Sequence, residues 1–217
     1  MNSNYEDVIN AIKETINIHE ASLHEPYFSE TDYNYLKDCI DSSFVSSVGN
    51  YVNRFSKLIS QYTNSKYVIP VVNGTAALHL SLLVAGVKKG QEVILPPLTF
   101  VATANAICYN GATPHFVDVE KSTFGIDPEF LRDYLTEIST KKSGKLFNKK
   151  TGKIISAIVP VHIFGHPCRI EHLIDIAKEF NLVLIEDAAE SLGSFYNEKH
   201  TGTFGLAGTI SFNGNKI

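Results

Sequence analysis

Apolar residues recur at two different periods along this chain. Near the N-terminus Tyr5, Val8, Ile9, Ile12 and Ile16 fall at helical spacing and predict an amphipathic helix over residues 5–18. His24-Glu25-Pro26 breaks it, and Ser29 or Thr31 is placed to cap a second helix reaching about Phe44. Ser46–Asn50 reads as a turn. A third helix follows, with Val52, Phe55, Leu58 and Ile59 on its apolar face. The stripe on the first helix needs cover, from the main body or from a partner subunit.

From Tyr67 onward short apolar runs take over and alternate with helical patterns. Tyr67–Val72 predicts a strand that turns through Asn73-Gly74-Thr75 into an apolar helix over Ala76–Ala85. Glu92–Leu95 predicts a short strand closed by Pro96-Pro97, after which Thr99 or Thr103 can cap a helix through Ala106 and Ile107. Thr113–Val119 predicts another strand, and Asp127-Pro128 places proline at the first position of a helix. Ile154–Val161 reads as a buried strand ending in His162, and Arg169–Phe180 as a helix with Leu173, Ile174, Ala177 and Phe180 on one face. The run Leu182–Ile185 ends in Glu186-Asp187, and a last apolar stretch ends in Ser211-Phe212-Asn213-Gly214-Asn215-Lys216. This alternation predicts an α/β protein with a mainly parallel sheet flanked by helices. It divides the chain into a helical N-terminal segment, 1–66, and an α/β unit, 67–217. The lysine-rich stretch 139–153 could touch a nucleotide diphosphate, but a solvated loop is the better reading of a charge run.

Composition narrows the classes. The 217 residues are 44% apolar and 19% charged, ordinary for a globular domain with a sizeable core. A formal charge of −4 supplies no basic face for nucleic acid. Cys39, Cys108 and Cys168 lie far apart without a CxxC pair, which argues against a disulfide framework or zinc site and suits a reducing cytoplasm. The opening MNSNYEDVIN is unlike a signal peptide, and no apolar run approaches the ~20 residues that span a bilayer. No metal site and no membrane association are expected.

The candidate chemistry gathers at strand ends, where open α/β sheets place ligands. Asp187 supplies a carboxylate, Ser211 a hydroxyl and Lys216 an amine, a set suited to an aromatic aldehyde cofactor that carries a phosphate. A strand turning through Gly74 into a helix presents free backbone N–H groups, a place for a phosphate. Taken singly, each residue has an ordinary alternative. Phe100 can be core, Asp187 a cap or half of a buried pair, Lys216 a surface residue, His162 a satisfied structural histidine, and Gly49-Asn50 a plain interhelix turn.

Five segments in order tip the balance: VVNGTAALHLSLLVAGV, PPLTFVATANAICYNGATPHFVDV, VPVHIFGHPC, EDAAESLGSFYNEKHTGTFG and SFNGNK, with SSVGNYVNRF upstream. They resemble the DegT/DnrJ/EryC1/StrS sugar aminotransferases, pyridoxal-phosphate (PLP) enzymes of fold type I. Within that family they most resemble the branch acting in legionaminic acid and bacillosamine synthesis. The resemblance implies the PLP-binding large domain of fold type I. It makes Lys216 the catalytic Schiff-base lysine, and Asp187 the partner of the ring nitrogen. Gly74, Thr75, Ala76 and Ser211 become phosphate donors, and Phe100 the ring-stacking residue. Glu190 stands where many members carry glutamine near the ring oxygen, a departure that puts this contact in question. Gly49, Asn50 and His162 would face the sugar nucleotide. The resemblance further implies a homodimer, a nucleotide-linked 4-keto-6-deoxy sugar as acceptor and glutamate as amino donor. Relatives that dehydrate sugars carry histidine in place of the lysine, so Lys216 points to transamination. A non-catalytic sugar-nucleotide-binding or scaffold protein is the other class. Family members continue past this lysine into more of the large domain and a smaller C-terminal domain. The resemblance therefore implies a fragment from which that small domain is absent.

Overall fold

The computed structural model describes residues 3–16 and 26–216. Three helices come first: α1 Ser3–Ile16, α2 Glu30–Asp41 and α3 Asn50–Thr63. Residues 17 and 18 of the expected first helix, and the His24-Glu25 part of the break after it, lie outside the described residues. Ser29 begins α2 as expected, its backbone N–H and hydroxyl both donating to Asp32 at 2.7 Å. The helix stops at Asp41, short of Phe44, with Ser42 closing it. Val8, Ile9, Ile12 and Ile16 leave the stripe of α1 open to solvent.

The α/β unit is a three-layer sandwich. Helix α4 is Gly74–Val84, β1 is Glu92–Leu95, α5 is Val101–Tyr109 and β2 is Thr113–Phe116. Then come α6 Pro128–Ile138, the hairpin β3 Ser139–Lys142 and β4 Lys145–Asn148, β5 Ile154–Ile158, α7 Ile170–Phe180 and β6 Val183–Asp187. A small hairpin, β7 Phe195–Tyr196 and β8 Lys199–His200, precedes the last strand, β9 Ala207–Thr209. The parallel strands lie side by side as β2-β1-β5-β6-β9, and β4 joins β5 antiparallel. Strand order reverses between β1 and β5, so the crevice at their C-terminal ends is a topological switch point.

Alternation along the strands builds two cores. Val93 and Leu95 face α4 and α5 together with Leu78, Leu82, Ala106 and Ile107, while Ile94 faces the opposite layer. There Leu131 and Leu135 of α6 and Leu173, Ile176 and Phe180 of α7 cover Ile155, Ile158 and Leu184. Among the described residues no helix is long and apolar enough to cross a membrane.

Three expectations need correction. Residues 67–72 form no strand: Tyr67, Ile69 and Val72 are exposed, and no described strand pairs with them. A strand needs a neighbour, whatever its β-propensity. The lysine-rich stretch is not a loop. Ser143 and Gly144, both at positive φ, make the two-residue turn of a hairpin, and Asn148 anchors it by donating to the buried Glu92 at 2.9 Å. Burial pushes the Glu92 carboxyl up, but bonds from Thr151, Asn148 and His115 outweigh it and hold the group below the usual range. Finally, neither Thr99 nor Thr103 caps α5. Phe100 takes the cap position without a side-chain bond, and Thr103 lies buried inside the helix.

One buried carboxylate staples the segment after β8 to the sheet. Glu186 accepts from the backbone N–H groups of Gly202 at 2.8 Å, Phe204 at 2.6 Å and Gly205 at 2.7 Å. His162 adds a fourth bond at 3.1 Å. The glycines are required here, because a side chain at Gly205 would strike the Leu184 carbonyl and one at Gly208 the backbone of Gly202. Glu186→Gln would turn an amide NH2 toward two N–H donors, either those of Phe204 and Gly205 or those of Gly202 and His162. Urea denaturation of the full-length protein should show a loss of about 2–3 kcal/mol, and an unchanged unfolding curve would remove Glu186 from this role.

Candidate active site

Asp187 is the last residue of β6 and faces the α4–α5 layer, 5% exposed. Thr103 Oγ1 donates to its Oδ2 at 2.6 Å, and the Ala189 N–H donates to Oδ1 at 3.2 Å. Burial pushes its carboxyl up, against the opposing pull of these two bonds and of the nearby His162 and Lys216. A carboxylate offers about four acceptor positions, so two donors leave room for another.

The N-terminus of α4 provides a second element. Asn73 caps it by accepting from the Ala76 N–H at 2.8 Å. Helix geometry leaves the Gly74 and Thr75 amides without an intrahelical acceptor. The Ala76 amide is already used by the cap, which removes Ala76 from the expected phosphate donors. Ser211 comes to the same place: a Cβ on Gly74 would lie 3.4 Å from Ser211 Cβ and 3.6 Å from its Oγ. That Oγ accepts from the Asn213 N–H at 3.4 Å, and its own proton stays available to donate. Two amides, a hydroxyl and the positive end of a helix dipole thus face one spot, a suitable seat for an anion.

Lys216 reaches back to Glu190, two turn residues beyond Ala188, and the two side chains form an ion pair. Its charge also bears on Asp187, so amine and carboxylate share the site. Phe100, just after β1, is 73% exposed, free to pack on something other than the core. Helix α3 leans on the same segment, with the Phe55 and Phe212 rings 4.8 Å apart and edge-on.

His162 does not join. It is buried, its Nδ1 accepts from the Cys168 N–H at 3.2 Å, and its Nε2 donates to Glu186. Both ring nitrogens are used by the protein, so the histidine is structural and has no atom to offer a substrate. Gly49 packs against Phe44 and Asn50 is exposed at the start of α3, with no described contact linking either to Asp187 or Lys216. Two residues that sequence reasoning passed over matter most. Thr103 was readable only as a helix cap, and Glu186 only as a neighbour of Asp187. The alternation that sends adjacent strand residues to opposite faces is the signal that separates the two carboxylates.

Comparison with known proteins follows the same lines. GDP-perosamine synthase of Escherichia coli O157:H7 is 40% identical over 194 residues, which is 89% of this chain and 49% of that protein. The crystal structure of DesI in the presence of its TDP-sugar product superposes with a TM-score of 0.76 at 29% identity, covering 90% of this chain and 46% of DesI. NtdA from Bacillus subtilis with bound cofactor PMP gives a TM-score of 0.75 at 28% identity, over 92% of this chain and 42% of NtdA. The chain spans about half the length of the curated relatives it matches. The family pattern covers residues 26–217, through the α4 N-terminus, Asp187, Ser211 and Lys216, and the chain belongs to the DegT/DnrJ/EryC1/StrS aminotransferase family.

Proposed function

We propose that this chain is the cofactor-binding part of a PLP-dependent aminotransferase that moves an amino group from glutamate to C4 of a nucleotide-linked 4-keto-6-deoxy sugar, for bacterial surface glycans. The observation that carries the reading is the buried, incompletely satisfied Asp187 beside an anion seat and a lysine. Those features fit the cofactor: a carboxylate for the pyridine N–H, donors for the phosphate and an amine for the aldehyde. The family's named relatives include proteins that make amino sugars, which supports the acceptor class.

Bound PLP supplies an aldehyde that carries the amino group and a ring that accepts the electron pair left at the reacting carbon. Asp187 would hold the ring nitrogen protonated. Gly74, Thr75 and Ser211 would hold the phosphate. Phe100 would cover one ring face and exclude water there. Lys216 would hold the aldehyde through its amine and, when free of it, would take the proton from the donor's α-carbon. Glu190 pairs with Lys216 and would stand near the ring oxygen. Gly49 and Asn50 lie on the sugar side in this reading.

The helical segment 1–66 is proposed to pack on the unit 67–217 as one half of a homodimer contact. The exposed stripe Val8, Ile9, Ile12 and Ile16 supports this, since a second copy is the commonest cover for such a face. The unpaired Cys39, Cys108 and Cys168 suit a cytoplasmic enzyme.

Three measurements test the reading. Borohydride reduction of the full-length holoenzyme followed by peptide mapping should place the cofactor on Lys216, and a label on another lysine sinks the assignment. Asp187→Asn should lower turnover by about 10²–10³ or more while leaving the fold intact; near-normal turnover would make Asp187 structural. Sedimentation over a concentration series should give a dimer, and a stable, active monomer would refute the shared contact.

A further inference from the structure

We propose that Thr103 is a positioning residue for the cofactor: its hydroxyl fixes the Asp187 carboxylate, in orientation and in charge, for a protonated ring nitrogen, with Thr99 as the donor behind it. The inference rests on the reading of this site as a PLP site. It concerns a residue that would not touch the cofactor itself.

The geometry is directional. Thr103 lies on the third residue of α5, 1% exposed, and reaches 84 residues along the chain to Asp187. A threonine hydroxyl has a single proton, and here it is spent on Asp187 Oδ2 at 2.6 Å, the short distance of an O–H···O⁻ bond. The Thr99 and Thr103 hydroxyl oxygens are 2.7 Å apart. With the Thr103 proton committed, Thr99 is the donor of that pair, its proton favouring the Thr103 oxygen at 2.7 Å over the Phe100 carbonyl at 3.3 Å. The chain therefore runs Thr99 to Thr103 to Asp187 and ends on a charge, an arrangement in which each bond polarises the next.

The charge state follows from the surroundings. Burial favours the neutral acid at Asp187, and the Thr103 bond is the strongest influence opposing it, ahead of the Ala189 amide. The other titratable groups that bear on Asp187 are His162, from the turn after β5, and Lys216, from the segment after β9. Glu186, on the same strand, is turned onto His162 and the amides of Gly202, Phe204 and Gly205. Substitution of Thr103 leaves all of these in place. Without the hydroxyl the carboxyl rises further, so the carboxylate is lost at a higher pH as the solution is acidified. A neutral Asp187 cannot hold a ring N–H⁺, and cofactor affinity goes with it.

Thr103→Val keeps the shape and removes the hydroxyl, whereas Thr103→Ser keeps the hydroxyl and loses a methyl. The full-length protein, stripped of cofactor, is titrated with PLP by fluorescence from acid to alkaline pH, with thermal melts of each apoprotein alongside. The expected result is that wild type and Thr103→Ser bind alike, while Thr103→Val binds about tenfold more weakly near neutrality. The acid limb of its affinity profile should sit at higher pH than that of wild type. Thr99→Val, at the half-buried end of the chain, should shift the limb in the same direction by less, and it decides the matter if Thr103→Val melts. Superimposable profiles for wild type and Thr103→Val overturn the inference. So does a Thr103→Ser variant that melts normally yet binds as poorly as Thr103→Val. A wild-type protein that takes up no PLP overturns both the inference and the function on which it rests.

Discussion

Strand β6 carries Glu186 and Asp187 side by side into the interior, and the period of two along a strand sends them to opposite faces of the sheet. Burying a carboxylate is costly unless donors surround it, and each of the pair meets that requirement differently. Glu186 is saturated by three backbone amides and His162, and the loop after β8 takes its shape from that demand. Among the described residues Asp187 receives only Thr103 and the Ala189 amide. The first carboxylate is spent on the fold. The second is held just short of satisfaction at the sheet edge, and that shortfall is what a ligand can fill.

The rest of the site depends on the crossovers that surround this edge. Strand β1 leads through α5 to its neighbour β2, and the chain then returns to β5 on the other side of β1. That reversal keeps the crevice open, so that Phe100 after β1 lies at the same edge as Asp187 at the end of β6. The parallel pairing of β6 with β9 carries Ser211 past the sheet to the N-terminus of α4, where Gly74 has no side chain to keep it away. Residues far apart in sequence meet because each stands within a few positions of a strand's end.

This explains what was legible in the sequence. The apolar runs showed the strands of the parallel sheet and the helices between them, since burial on both faces leaves a plain signal. The ends of those runs pointed to Asp187, Ser211 and Lys216. What could not be read depended on partners. Tyr67–Val72 has the composition of a strand but no described neighbour to pair with. The hairpin over Ser139–Asn148 hid beneath its lysines, because its buried positions, Ser139, Leu146 and Asn148, are few and its turn needs positive φ from Ser143 as well as Gly144. His162 stood at a strand end like a ligand, yet its fate was decided by Glu186 and Cys168, contacts that no local pattern records.

Glu190 places a second carboxylate beside Asp187 in the chain, three residues on, and Lys216 answers it with an ion pair. The lysine side chain is 18% exposed and that of Glu190 37%, so the pair is neither fully screened by water nor fully removed from it. Two carboxylates and one ammonium leave the site with an excess of negative charge before any anion arrives. The compensating positive potential comes from the backbone, at the start of α4, where Asn73 ties up the Ala76 amide and leaves those of Gly74 and Thr75 facing outward. A neutral residue at 190 would free Lys216 from its partner and bring that balance to neutral. The anion seat lies on a helix N-terminus, so its positive potential comes from the backbone and does not draw on Lys216, which Glu190 engages.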